Sequence, residues 1–156
     1  DNLIVVQTFS KARSMAGMRI GYAISNPALI KYLNDAKYSF NSYTMNQAAL
    51  ACGVESVKDK AYFEEGIRKI IKTREWAKEE LLRLGFRYLD SSANFIFATH
   101  PAYDAKELFE ALKKNGIYVR YWGSERIEQY LRITIGTREE MEALFAFLKG
   151  YMENRV

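Results

Sequence analysis

One cysteine, one histidine and two prolines are all that 156 residues contain of those types. A lone Cys52 excludes a disulfide within the chain and suits a reducing compartment, so a cytoplasmic protein is expected. One Cys and one His are too few for a conventional structural zinc site. No apolar run approaches the roughly 20 residues that cross a bilayer as a helix, so no membrane partner is expected. Charge of one sign is also missing as a stripe. The net +4 is spread over mixed-sign segments such as KDKAYFEEGIRKIIKTREWAKEELLR, which read as solvated helix faces, and no nucleic-acid partner is expected. What is present in quantity is apolar and aromatic surface, 49% and 14% of residues, enough to build a packed core. The sequence opens on Asp1, and a strand-like apolar run begins at Leu3. A piece of a longer polypeptide is therefore expected.

LIVVQTF, a short β-branched run, has the pattern of a strand buried on both faces, as in a parallel sheet. RIGYAIS is a second strand. Asn26-Pro27 opens a helix, with Asn as N-cap and Pro in the first turn. KYSFNSYT is a polar and aromatic connector, and a further helix is expected over about 44–56. Between 58 and 84 an apolar stripe at helical spacing (Phe63, Ile67, Ile70, Ala77, Leu81, Leu84) predicts the longest helix, stopped by Gly85. FRYLD, NFIFAT, IYVRYW and YLRITIG read as strands. Asp104 with Glu107, and Thr137 with Glu140, open two more helices as capping boxes. The chain divides near Ser39: two strands and a helix in 1–38, then an α+β unit in 39–156 with long helices on a mainly antiparallel sheet.

TFSKARSMAGMRIGY, from Thr8 to Tyr22, concentrates the reactive chemistry. An amine is nucleophilic only when neutral, and nearby cations with partial desolvation favour that form. Arg13 and Arg19 are the neighbouring cations and the apolar strand supplies the burial, so Lys11 is a candidate Schiff-base lysine. On residue type alone it is a surface lysine, since lysine is mostly exposed, and it is the surrounding string that favours the Schiff-base reading. Arg19 offers the planar fork that holds a phosphate through two parallel bonds. Gly17 leaves room for an unusual backbone just before it. The hydroxyls of Thr8 and Ser10 can serve the same anion or simply bond to backbone at the strand end.

The motif resembles the lysine segment of fold-type-I, pyridoxal-phosphate-dependent aminotransferases, and within them the histidinol-phosphate aminotransferase group. That pattern is Ser-Lys-Ala, two variable residues, Leu or Met, Ala-Gly, a variable residue, Arg, a variable residue, Gly and an aromatic. Ser10, Lys11, Ala12, Met15, Ala16, Gly17, Arg19, Gly21 and Tyr22 meet every fixed position. The resemblance continues through SSANFIF, GIYVRYW and YLRITIGTREEMEALFAFL. It implies an α/β architecture in which 1–38 end a mostly parallel large-domain sheet and 39–156 form the small α+β domain. It implies pyridoxal 5'-phosphate as cofactor, Lys11 as its covalent anchor and proton carrier, and Arg19, Ser10 and Thr8 on its phosphate. It also implies Arg132 on a substrate acid group and Arg120 near a substrate phosphate. Asn41 and Asn94 are read as capping or turn residues beside the cleft.

The family further requires an acidic partner for the cofactor ring nitrogen, a stacking aromatic and a phosphate-cradling turn, all upstream of the lysine strand. The resemblance thus implies that this chain, alone, is inactive and needs the N-terminal part of the enzyme. The complete enzyme would be a homodimer acting on amino-acid and keto-acid substrates. Alternatives left open are another aminotransferase, aromatic or otherwise, a threonine-phosphate decarboxylase, or a non-catalytic α+β association module.

Overall fold

The computed structural model describes residues 2–154. In chain order its elements are β1 (Val5–Thr8), a 3-10 turn (Ala16–Met18), β2 (Gly21–Ile24), α1 (Pro27–Phe40), α2 (Gln47–Lys58), α3 (Lys60–Arg83), β3 (Arg87–Leu89), β4 (Phe95–Thr99), α4 (Ala105–Lys114), β5 (Arg120–Tyr121), β6 (Leu131–Thr134) and α5 (Arg138–Glu153). The sequence pattern divides at 38/39; the contacts made within the chain gather into two compact units, Asp1–Ile67 and Arg68–Val156.

In the first unit β1 and β2 form a two-stranded antiparallel ribbon, with Thr8 opposite Gly21 and Val5 opposite Ile24. The expectation of a strand covered on both faces is corrected here, since every residue of β1 is exposed, Val6 at 73%. Consecutive strands joined without a full crossover pair antiparallel, because a parallel return needs a dozen or more residues and usually a long helix. The apolar composition of Leu3, Ile4, Val5 and Val6 describes a strand made to be covered, and among the described residues these side chains stay exposed. Helix starts follow their caps: Asn26 Oδ1 accepts the Leu29 N–H at 3.0 Å. Asn46 Oδ1 accepts the Ala49 N–H at 2.8 Å, so α2 begins at Gln47 rather than at 44. A small cluster of Phe9, Ile20 and Ala49 is buried where the ribbon meets α2. Gly53 permits that approach, since a Cβ there would stand 3.0 Å from Ile20 Cδ1.

The second unit is a four-stranded antiparallel sheet in the order β3-β4-β6-β5, with α4, α5 and the later turns of α3 supplying the remainder of its core. One sheet face carries Ile96, Ala98, Leu131 and Ile133, buried among Leu81, Leu108, Leu112, Leu144 and Leu148. Alternation along each strand sends the other side chains to the opposite face. The predicted capping box of α5 is complete: Glu140 N–H to Thr137 Oγ1 (3.2 Å) and Thr137 N–H to Glu140 Oε2 (2.7 Å). Gly85, at φ +82°, ends the turn after α3.

Two charged side chains on α3 are buried. Arg74 donates to the Ala93 carbonyl at 3.0 Å, and Lys78 reaches Asp90 at 2.7 Å and Glu75 at 3.2 Å. These bonds fasten the segment between β3 and β4 to the helix. Arg74 first, then Lys78, holds the Glu75 carboxyl below its ordinary 4.5. Lys78 holds Asp90 below its ordinary 3.8, and Asp90 in turn raises Lys78 above 10.5. The carboxylates therefore lend stability above their ordinary values, and this is lost as pH falls through their lowered folded values. The Lys78 contribution runs the other way: it is full below 10.5 and lost as pH rises through the raised folded value. Lys78→Met should flatten the acid limb of stability, read as the urea midpoint against pH from about 5 downward. An acid limb as steep in Lys78→Met as in the parent would remove Lys78 as its cause.

Candidate active site

The lysine segment is a loop clamped by the ribbon that carries it. Past Thr8 the ladder continues with Phe9 N–H to the Ile20 carbonyl at 3.1 Å. The loop closes on itself through Ser14 N–H to the Lys11 carbonyl and Met15 N–H to the Phe9 carbonyl, both 3.0 Å. Arg13 holds its outer side: its guanidinium donates to the Ser56 carbonyl and lies 4.1 Å from the Phe63 ring centroid and 5.3 Å from that of Phe9. Arg13, read from the sequence as a cation acting on Lys11, is thus committed to anchoring the loop.

Lys11 itself is exposed, and its ammonium has no hydrogen bond or ion pair among the described residues. Beside it the Thr8 hydroxyl lies 2.8 Å from the Ser10 hydroxyl and accepts the Ser10 N–H at 3.1 Å. The Thr8 hydroxyl also lies 3.3 Å from the Ile20 carbonyl, so its single proton has two acceptors within reach. Ser10 and Thr8 thus form a pair of hydroxyls at the strand end, beside Lys11. Arg19 stands just before the strand position opposite Thr8, and donates one bond to the Ala16 carbonyl at 3.0 Å. That leaves donors of its fork free.

The unusual backbone expected at Gly17 falls elsewhere. A Cβ on Gly17 would meet nothing within 4 Å, whereas Ser14 (φ 54°) and Arg19 (φ 57°) adopt the left-handed conformation. They are the non-glycine residues with positive φ among those described, and both lie in this loop. Each costs about 1–2 kcal/mol, a strain that collects where a side chain must be held in a set direction.

The second unit carries the other two arginines. Arg132 on β6 is opposite Phe97 on one side and Arg120 on the other, so Phe97, Arg132 and Arg120 form one row across three strands. This row lies on the face opposite Ile96 and Ile133. Arg132 packs 5.4 Å from the Phe95 ring and 5.1 Å from the Trp122 ring; Arg120 lies 5.4 Å from the same Trp122. Tyr130 stacks on Phe97 at 4.6 Å. Among the described residues the one buried side-chain polar atom without a hydrogen-bond partner is Arg132 Nε. Neither arginine forms a salt bridge among the described residues, so two adjacent positive charges stand there without a carboxylate. Cross-strand like charges oppose each other, and an anion is the natural neutraliser.

The aromatic surround was not apparent from the arginine motifs alone. Its signal is the spacing of two between Arg120 and Trp122, which share a face if the strand extends. Asn41 Oδ1 accepts the Tyr43 N–H at 3.0 Å in the turn after α1, and the backbone carbonyl of Asn94 accepts the Ile135 N–H at 2.9 Å.

The histidinol-phosphate aminotransferase of Lactococcus lactis subsp. lactis is 52% identical over 153 residues, 98% of this chain and 42% of its own length. That of Brachyspira hyodysenteriae is 50% identical over 154 residues, 99% of this chain and 44% of its own length. The chain thus spans less than half of the curated relatives it matches. Among solved structures, histidinol-phosphate aminotransferase from Sinorhizobium meliloti in complex with pyridoxal-5'-phosphate is 27% identical. It superposes with a TM-score of 0.84, covering 99% of this chain and 43% of that one. The family model for aminotransferase class I and II matches residues 1–148, and the chain belongs to that family.

Proposed function

We propose that this chain is the lysine-bearing part of a pyridoxal-phosphate-dependent aminotransferase. Its complete form would exchange an amino group between glutamate and a phosphorylated imidazole keto compound, in histidine biosynthesis. The observation that carries the reading is the lysine loop: an unpaired Lys11, the paired hydroxyls of Ser10 and Thr8 and an Arg19 held in a left-handed conformation by the same ribbon. One amine, a pair of hydroxyls and one guanidinium suit an aldehyde carried on a phosphate ester, so the residues fit pyridoxal phosphate.

When bound, that cofactor supplies an electron sink for the amino carbon. The chain supplies the rest. Lys11 is the amine to which the cofactor is joined and the base that takes, then returns, the proton at the substrate amino carbon. Ser10, Thr8 and Arg19 hold the cofactor phosphate. Arg132 takes the substrate carboxylate and Arg120 the substrate phosphate. The partners of the reading are small amino and keto acids, the N-terminal part of the same enzyme, and a second copy forming a homodimer in the cytoplasm.

The test is amino transfer from glutamate by the full-length protein, with histidinol phosphate, aromatic amino acids and threonine phosphate offered in parallel. Preference for histidinol phosphate is expected; carbon dioxide release from threonine phosphate would overturn the substrate assignment. The 156-residue chain alone is expected to bind pyridoxal phosphate weakly and to turn over far below about one per second, the low end of ordinary enzyme rates. Turnover at or above that rate would show that the residues described here suffice.

A further inference from the structure

We propose that Trp122 is the positioning residue of the arginine pair: one indole ring that sets both guanidinium planes for incoming acid groups, carboxylate or phosphate. This rests on the reading above, in which Arg132 and Arg120 meet the acid groups of the substrate.

The two guanidinium carbons lie 5.1 Å and 5.4 Å from the same ring, inside the range over which a cation is drawn to an aromatic face. Arg120 and Arg132 are directly opposite each other across β5 and β6, an arrangement that like charges disfavour. No acidic side chain among the described residues relieves it by an ion pair. The negative face of the indole is the group that touches both. Trp122 also stands edge-on to Phe97, 6.4 Å away, and Phe97 is fixed by the stacked Tyr130. The ring is therefore a supported platform.

Arg132 is held from a second side by Phe95, and its Nε is buried without a partner. The end of the fork left for a ligand is the pair of terminal nitrogens, the edge that grips two oxygens of one phosphate or carboxylate. Without the indole, that edge would swing on a long side chain. The neighbouring positive charge of Arg120 would push it away from the position the anion needs.

The experiment follows the Nε–H resonance of Arg132 by NMR in the 156-residue chain during titration with inorganic phosphate at fixed ionic strength. The resonance is assigned by its loss in Arg132→Lys. This reads binding at Arg132 itself, separate from phosphate taken at Arg19. In the parent and in Trp122→Phe, which keeps a ring, the resonance should shift with similar Kd. Trp122→Leu should raise Kd about five- to thirty-fold, the range that loss of such a cation–ring contact implies. If Trp122→Leu lowers the thermal midpoint enough to unfold part of the sample, Trp122→Met, which restores length without a ring, carries the same expectation. An unchanged Kd in either folded ringless variant overturns the role of Trp122 and leaves the arginine site standing. A parent resonance indifferent to phosphate overturns the anion site and the positioning role together.

Discussion

Lys11→Ala in the complete protein is expected to lower kcat by about 10²- to 10⁴-fold, the share usually carried by a positioned proton-transfer group. Excess pyridoxal phosphate should not restore it, because the missing part is the amine that moves the proton rather than the affinity for the cofactor. A small primary amine added to Lys11→Ala should restore part of the rate in proportion to its concentration. Lys11→Arg, always protonated, should fail as fully as alanine. The measurement is glutamate-dependent amino transfer at saturating cofactor. A Lys11→Ala protein within about threefold of the parent would remove Lys11 from the chemistry, since that is far less than general acid–base catalysis contributes.

The second large effect separates the two anion sites. Arg132→Lys keeps the charge but loses the fork. A charge-assisted bidentate contact is worth roughly 2–4 kcal/mol, so kcat/KM for acid-bearing substrates should fall about thirty- to a thousand-fold. Cofactor retention should be unaffected. Arg19→Lys should do the converse: activity should fall on dilution and return with added pyridoxal phosphate, with substrate KM little changed at saturating cofactor. The backbone adds nothing to the Arg19→Lys effect, because arginine and lysine bear the same Cβ cost in the left-handed conformation at φ 57°. Titrating cofactor and substrate against each variant decides. Should Arg132→Lys lose cofactor and Arg19→Lys lose only substrate affinity, the two assignments are reversed.

Helix boundaries were largely legible in the sequence because they rest on local chemistry. Asn26, Asp104 and Thr137 cap the helices they were expected to cap, each through a side-chain oxygen that accepts a backbone N–H three residues on. The strands NFIFAT and YLRITIG were legible as strands, but which face of NFIFAT is buried was not, because Phe95 and Phe97 make its other face as apolar as Ile96 and Ala98. What also escaped was the use of charged residues inside. The α3 stripe passes through Ile70, Ala77 and Leu81 with a gap at 74, and that gap is filled by buried Arg74, with Lys78 one turn further. A mixed-sign helix reads as solvated unless the cation's position in the stripe is noted. Likewise the lysine segment was legible as a motif, whereas its division of labour was not. That Arg13 anchors and that Ser14 and Arg19 take the strained backbone are set by the hydrogen bonds of the closed loop.

The closed loop also limits what the gene can tolerate. Surface loops ordinarily absorb insertions and deletions. Here both ends of the segment are tied by ladder bonds, Thr8 opposite Gly21 and Phe9 to Ile20, and the middle is tied by Met15 to Phe9. Deleting one codon between 12 and 18 cannot be taken up as slack. Either the tether from Phe9 to Met15 breaks, or β2 slips by one residue and sends every second side chain of Gly21–Ile24 to the other face. Change in this part of the protein is therefore confined to substitution at constant length.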